Sequence, residues 1–300
     1  MNRRQFQKTL GGSLLAGLSS NLLAQESTKA APFKALFAPH PKQLPTGPKD
    51  YLEQLQFAYD LGFRAWEDNN LYKQPPELQE KVGAFVKEKG MTLGVMVINN
   101  GGGVPFFKAT DEQKANILSD MKKGVEISKR TGQTWMTMLP GIRVDNVPLH
   151  QQIAGAADLM KACCDIVEEH GIILSQEPLS HNIKGGKPLI RSFADGFQLC
   201  EATGRKSCKL LADFFHEGQI GNGAKLIPNA EAAWSQVSYV QYGDSPGRKE
   251  PGTGALDYTA VTKWLREKNY TGVIGMEHRA SEKGPEGLKK LIASYRAIDA

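Results

Sequence analysis

Four side chains able to donate oxygen ligands recur at comparable places in the second half of this chain: Glu177, Asp213, Gln241 and Glu277 each end a short apolar run. Three carboxylates and an amide oxygen suit one hard or borderline divalent cation, such as Mn, Mg or Co. Brought together without a cation, the carboxylates would repel and raise one another's pKa. The alternative is that each acid pairs separately with a surface Lys or Arg, and its recurrence at four successive runs weighs against that. His216, three residues after Asp213, is placed to hydrogen-bond a substrate oxygen or to cap a helix. Arg248 lies in the polar, glycine-bearing loop 244–254, and its guanidinium suits a substrate carboxylate or hydroxyl. The other five histidines, His40, His150, His170, His181 and His278, lack metal-ligand spacing.

Short apolar runs alternating with longer amphipathic stretches must position these groups, and eight such units are readable. Strands are expected at 34–38, 63–67, 92–98, 134–139, 172–177, 209–215, 238–242 and 272–277. Helices are expected at 49–61, 76–89, 111–130, 149–170, 191–202, 230–236, 258–268 and 285–298. Glycines such as Gly90, Gly132 and Gly204 fall at helix ends, and Pro76 and Pro285 near helix starts. Regular alternation implies a parallel sheet with crossover helices, and eight units without a linker favour closure into a single-domain (β/α)8 TIM barrel. An open sheet would be expected to carry an early glycine-rich phosphate loop. Gly101-Gly102-Gly103 lacks that pattern and reads as a flexible loop after the third strand. In a barrel the site forms at the C-terminal strand ends, and the polar residues at or shortly beyond the expected strand ends are His40, Glu67 with Asp68, Asn99 with Asn100, Arg143, Glu177, Asp213 with His216, Gln241 with Asp244, and Glu277 with His278.

Arg3-Arg4-Gln5-Phe6 before the mildly apolar stretch 10–24 is a twin-arginine pattern, so residues 1–24 are expected to be a Tat signal peptide and the mature protein exported, to the periplasm. A polar linker, 25–32, would follow, with the barrel over 33–300. Losing Arg3, Arg4 and Lys8 lowers the formal charge from +5 to +2, with 34 basic against 32 acidic side chains. No basic stripe with interleaved aromatics points to nucleic acid, and the apolar stretch is too short for a convincing membrane span. A homo-oligomer is compatible with such a chain. Cys163, Cys164, Cys200 and Cys208 have no CxxC spacing and read as buried thiols, although Cys200 and Cys208 could bridge in an oxidising compartment.

Several segments give a more specific reading: Gln176-Glu177-Pro178-Leu179, Ala212-Asp213-Phe214-Phe215-His216, Val240-Gln241 through Pro246-Gly247-Arg248 to Glu250-Pro251-Gly252-Thr253-Gly254, and Ile274-Gly275-Met276-Glu277-His278. In this order they resemble the xylose isomerase-like TIM-barrel superfamily, and within it the hydroxypyruvate isomerase-like branch and the neighbouring ketose 3-epimerases. The resemblance implies that Glu177, Asp213, Gln241 and Glu277 hold one divalent metal. It also implies that Glu177 and Glu277 form the acid/base pair, and that His216 and Arg248 bind substrate. Hydrogen transfer in a small sugar or hydroxy-keto acid, through a cis-enediolate, is the expected reaction. Gln241 stands where the epimerase branch has His, and Ser180 where the family often has Asn. An exported 3-keto-glycoside lyase or epimerase and a non-catalytic sugar-binding barrel are the alternatives. An endonuclease of this fold would need a histidine-rich cluster that six scattered histidines do not provide.

Overall fold

The computed structural model describes residues 30–299. The signal segment 1–24 and the linker up to residue 29 lie outside the described residues. The strands are β1 (Leu36–Ala38), β2 (Ala65–Trp66), β3 (Thr92–Leu93), β4 (Met96–Asn99), β5 (Trp135–Met138), β6 (Ile173–Gln176), β7 (Cys208–Asp213), β8 (Val237–Gln241) and β9 (Val273–Gly275). Seven of them form one parallel sheet in the order β1-β9-β8-β7-β6-β5-β4, and β2 pairs with β3. Single backbone bonds carry the circle across the remaining gaps, from Glu67 N to Pro39 O (3.1 Å) and from Val97 N to Asn69 O (3.2 Å). The chain therefore closes as a barrel. The expected third strand, 92–98, is interrupted at Gly94 and Val95, so nine short strands fill eight barrel positions.

Helices α1 (Tyr51–Asp60), α2 (Pro76–Lys89), α3 (Asp111–Thr131), α4 (Leu149–Val167), α5 (Phe193–Thr203), α6 (Phe214–Glu217), α7 (Leu226–Ala233), α8 (Tyr258–Glu267) and α9 (Gly284–Ile298) follow the strands. Their ends match the sequence chemistry. Thr110 and Gln113 form a reciprocal capping box at the start of α3, while Gly90, Gly132 and Gly204 close α2, α3 and α5 in the left-handed conformation. Most elements begin or end one to four residues from the expected bounds; β7, expected to run to 215, stops at Asp213, whose carboxylate caps α6, and the helix expected at 230–236 begins at Leu226. No helix among the described residues is long and apolar enough to cross a membrane. All four cysteines are free and buried, so the possible Cys200–Cys208 bridge is not formed.

Strand alternation divides the core in two. Phe37, Leu210, Ala212 and Val240 face the large cluster beneath the helices. Ala38, Ala65, Val95, Leu211, Tyr239 and Val273 form a separate small cluster, as expected for the barrel interior. Counting by twos from that inner set reaches Glu67, Asp213, Gln241 and Glu277. The pleat that buries the inner apolar residues thus turns the polar residues of the strand ends towards the barrel axis.

Candidate active site

Glu177, Asp213 and His216 are all buried, and one potential ligand atom from each lies within 4.8 Å of the others. His216 Nε2 stands 3.6 Å from both Glu177 Oε1 and Asp213 Oδ2, too far for a hydrogen bond, and has no other partner among the described residues. The opposite ring nitrogen, Nδ1, is 2.9 Å from Ser180 Oγ and accepts from Ser180 N at 3.3 Å. Burial, reinforced by the Arg248 charge, lowers the His216 pKa to about 3, so the ring is neutral. The strand expected at 209–215 would leave His216 just beyond its end. The residue lies in α6, where it is held among the acids.

Glu277 completes the acid group from the opposite side. Arg248 Nη2 donates to Asp213 Oδ2 at 2.6 Å and to Glu277 Oε2 at 2.9 Å, and Asn69 Nδ2 donates to Glu277 Oε1 at 3.0 Å. One guanidinium thus supplies the positive charge between two carboxylates, while its face lies 4.7 Å from the Phe215 ring centroid. Glu177 lacks such a partner. Burial first, then the charges of Glu277 and Asp213, push its pKa well above the usual carboxylate range. Burial also raises Asp213, against the opposing pull of Arg248 and of its bond from Phe215 N.

Gln241 is fixed from one end only. Its Nε2 donates to Glu67 Oε1 at 2.7 Å, which leaves Oε1 buried without a partner. Glu67, fully buried, also accepts from Tyr239 Oη and lies 2.7 Å from His40 Nε2. Burial, the largest single influence, would lower the His40 pKa, but the charge and hydrogen bond of Glu67 together with the charges of Glu277 and Asp68 outweigh it and the pKa is raised. A side chain at Gly275 would overlap the Glu67 carboxylate, and one at Gly94 would overlap the Tyr239 hydroxyl. Glycine at these two positions makes room for the buried network.

The sequence named Glu67 and His40 only as strand-end polar groups, and it missed Asn69, Ser180 and Tyr239 as supports of the site. Tyr239 had a readable signal: it precedes Gln241 by two residues and shares its face of β8. Asn69 and Ser180 carry none, because their roles depend on loop paths. Arg143 is drawn elsewhere, to Asp195 at 2.5 Å. His278 turns into the core, with Nε2 2.7 Å from Tyr295 Oη, and burial lowers its pKa to about 3.

This last group makes a pH prediction. Between the unfolded value of 6.5 and about 3, the unfolded chain binds a proton at His278 that the native protein does not, so His278 contributes stability that is lost as pH falls. Replacing it, as in His278→Asn, should reduce the slope of unfolding free energy against pH by about 1.4 kcal/mol per unit near pH 5. Urea titrations at several pH values read this, and an unchanged slope contradicts a neutral buried ring.

The loop bearing Arg248 is built rather than merely solvated. Asp244 accepts from the backbone of Ser245 (2.8 Å), Gly252 (2.9 Å), Gly254 (2.8 Å) and Leu256 (3.1 Å). Buried Glu250 accepts from Ser281 N at 2.8 Å and from the Ser281 hydroxyl. Likewise, Gly101, Gly102 and Gly103 adopt positive φ, and Gly101 N is held by Asn99 Oδ1 at 2.9 Å, so that loop has defined local structure. A cavity of about 1340 Å³ opens over Arg248, Glu277 and Asn69.

Residues 55–298 match the model of the xylose isomerase-like TIM barrel. The chain belongs to that family. A putative hydroxypyruvate isomerase of Streptomyces coelicolor is 26% identical over 174 residues, which are 57% of this chain and 62% of that protein. In that match the chain spans less than two thirds of its relative. Among solved structures, the 3-keto-D-glucoside 4-epimerase YcjR from E. coli superposes with a TM-score of 0.70 at 20% identity, covering 88% of this chain and all of that one. The IolI protein, solved with a bound zinc atom, gives 0.67 at 17% identity over 87% of this chain and 95% of its own. This member of the xylose isomerase-like family thus combines the barrel with a compact acid and histidine cluster at its strand ends.

Proposed function

We propose that this chain is a metal-dependent isomerase or epimerase of a small sugar or hydroxy-keto acid, with Glu177 and Glu277 as its acid/base pair. The observation that carries the reading is the unequal environment of the two carboxyls around one cluster. Glu177 is buried and driven towards its protonated form, whereas Glu277 accepts hydrogen bonds from both Arg248 and Asn69. Different environments allow one group to take a proton while the other gives one.

The residues also fit a divalent cation. Glu177, Asp213 and His216 converge, His216 Nε2 and Gln241 Oε1 are buried without partners, and the excess negative charge is met in part by Arg248. These groups, with Glu277, would hold the ion, which when bound would supply Lewis-acid stabilisation of negative charge developing on substrate oxygens. The protein's own part is proton movement. One carboxylate removes the proton from a carbon next to the carbonyl, and the electron pair of that C–H bond enters the enediolate. Returning a proton to the neighbouring carbon, while the hydroxyl proton of the first carbon passes to the former carbonyl oxygen, isomerises the substrate; returning it to the opposite face of the original carbon epimerises it. Arg248 Nε is buried without an acceptor and is available to a substrate oxygen.

Supporting this reading are the family membership and the hydroxypyruvate isomerase and sugar epimerase among its similar proteins. We further propose export through the twin-arginine segment, which would put carbohydrates outside the cytoplasm within reach. A panel of ketoses, hydroxy-keto acids and 3-keto-glycosides in deuterated water tests the reaction. At least one should gain deuterium beside its carbonyl with isomer formation, and ligand-induced stabilisation without exchange by any compound would identify a binding protein instead.

A further inference from the structure

Resting on that reaction, we infer that the substrate carries an anionic group, a carboxylate or a phosphate, and that a basic rim on the barrel mouth binds it. Five cations besides Arg248 line the cavity over Glu277: Lys42, Lys49, Lys249, Arg279 and Lys283. They come from three separate loops, and none has an acidic partner among the described residues. Both acids on the same wall are engaged elsewhere, Glu277 with Arg248 at 2.9 Å and Glu282 with Lys290 at 2.6 Å. On the helices, by contrast, lysines often pair locally, as in Lys123–Asp120, Lys129–Glu126 and Lys289–Glu286. Six cations, Arg248 included, thus meet around one cavity whose wall carries only two acids, although the chain without residues 1–24 would carry only +2.

Buried anchors fix the loops that bear these cations. Gln43 Nε2 donates to Met276 O at 2.6 Å and to His278 O at 2.9 Å, tying the Lys42 loop to the end of β9. Lys42 itself has φ 63°, and its backbone N–H donates to Gln54 Oε1 at 2.6 Å. Asp244 and Glu250 hold the other two loops, the latter through Ser281. Like charges held close on fixed backbone repel one another, and a bound anion relieves that repulsion. The volume of about 1340 Å³ exceeds the roughly 300–1000 Å³ common for small-ligand pockets. It admits a substrate longer than a triose, with its reacting carbons at Glu277 and its anionic end at the rim.

Calorimetric binding of D-fructose, 5-keto-D-gluconate and D-fructose 6-phosphate to the full chain tests this, at low ionic strength and in about 1 M salt, where the screening length is about 3 Å. At least one anion should bind about tenfold or more tightly than fructose at low salt and lose that advantage at high salt. The stronger of the two anions identifies carboxylate or phosphate. The triple variant Lys42→Gln, Arg279→Gln, Lys283→Gln should remove the advantage while leaving fructose binding unchanged. Fructose binding as tightly as both anions, no measurable binding of either anion, or an advantage that survives the triple variant overturns the inference. Deuterium exchange measured on the same three compounds separates the two claims: anion preference without exchange leaves the rim standing and removes the isomerase reading.

Discussion

Glu177→Gln and Glu277→Gln should each slow exchange of the substrate's α-proton with solvent deuterium by about 10²–10⁴-fold, the usual contribution of a positioned acid or base. Glutamine keeps the shape of the side chain and its acceptor oxygen but cannot carry the proton. At Glu177 the change also removes a buried carboxyl that burial and two neighbouring acids already disfavour as an anion. The fold should therefore survive it, with an unfolding temperature at or above that of the parent. At Glu277 the bonds from Arg248 and Asn69 meet an amide instead of a carboxylate, so a small loss of stability is expected there. Circular dichroism and thermal melts separate loss of fold from loss of chemistry. If both variants exchange at the parental rate, proton transfer does not run through this pair.

Such a contrast between the two acids was not readable in the sequence, although their positions were. Period-two patterning in β7 and β8, and the recurrence of a polar residue one step past each apolar run, suffice to place Asp213 and Gln241 on the inner face. Barrel closure follows from the count of units, because each parallel strand needs a covered face and neighbours on both edges. Patterning does not reveal partners across the barrel. Glu67 and Gln241 are 174 residues apart, and their 2.7 Å bond exists only because the barrel brings β2 opposite β8. The split of the third strand is likewise a tertiary effect: Gly94 yields space to Tyr239, and Gln133 Nε2 takes up the Gly94 carbonyl. Ser180 shows how a departure from a family pattern can be absorbed, since its hydroxyl and backbone N–H both serve His216 Nδ1.

Dialysis against a chelator should abolish turnover, and Mn, Mg or Co should restore it, whereas Asp213→Asn should prevent recovery. Around His216 the chain gathers Glu177 and Asp213, and Arg248 bonds Asp213 and Glu277 but not Glu177. That leaves Glu177 to stay protonated or to find a second positive charge, and it leaves His216 Nε2 and Gln241 Oε1 buried without partners, each a standing cost of about 1–3 kcal/mol. A divalent cation held by Glu177, Asp213 and His216 would answer the first two deficits, and Gln241 lies beside them as the strand partner of Asp213. Binding to the native state alone stabilises it by about 2.7 kcal/mol at a free concentration one hundred times the dissociation constant. For a chain of this size that corresponds to a rise of about 5 °C in unfolding temperature. The rise should vanish in Asp213→Asn and shrink in Gln241→Leu, and because it is a melting measurement it is independent of the substrate. A protein whose unfolding temperature ignores Mn, Mg, Co and Zn alike would mean that Arg248 alone balances the carboxylates and that no cation belongs at the strand ends.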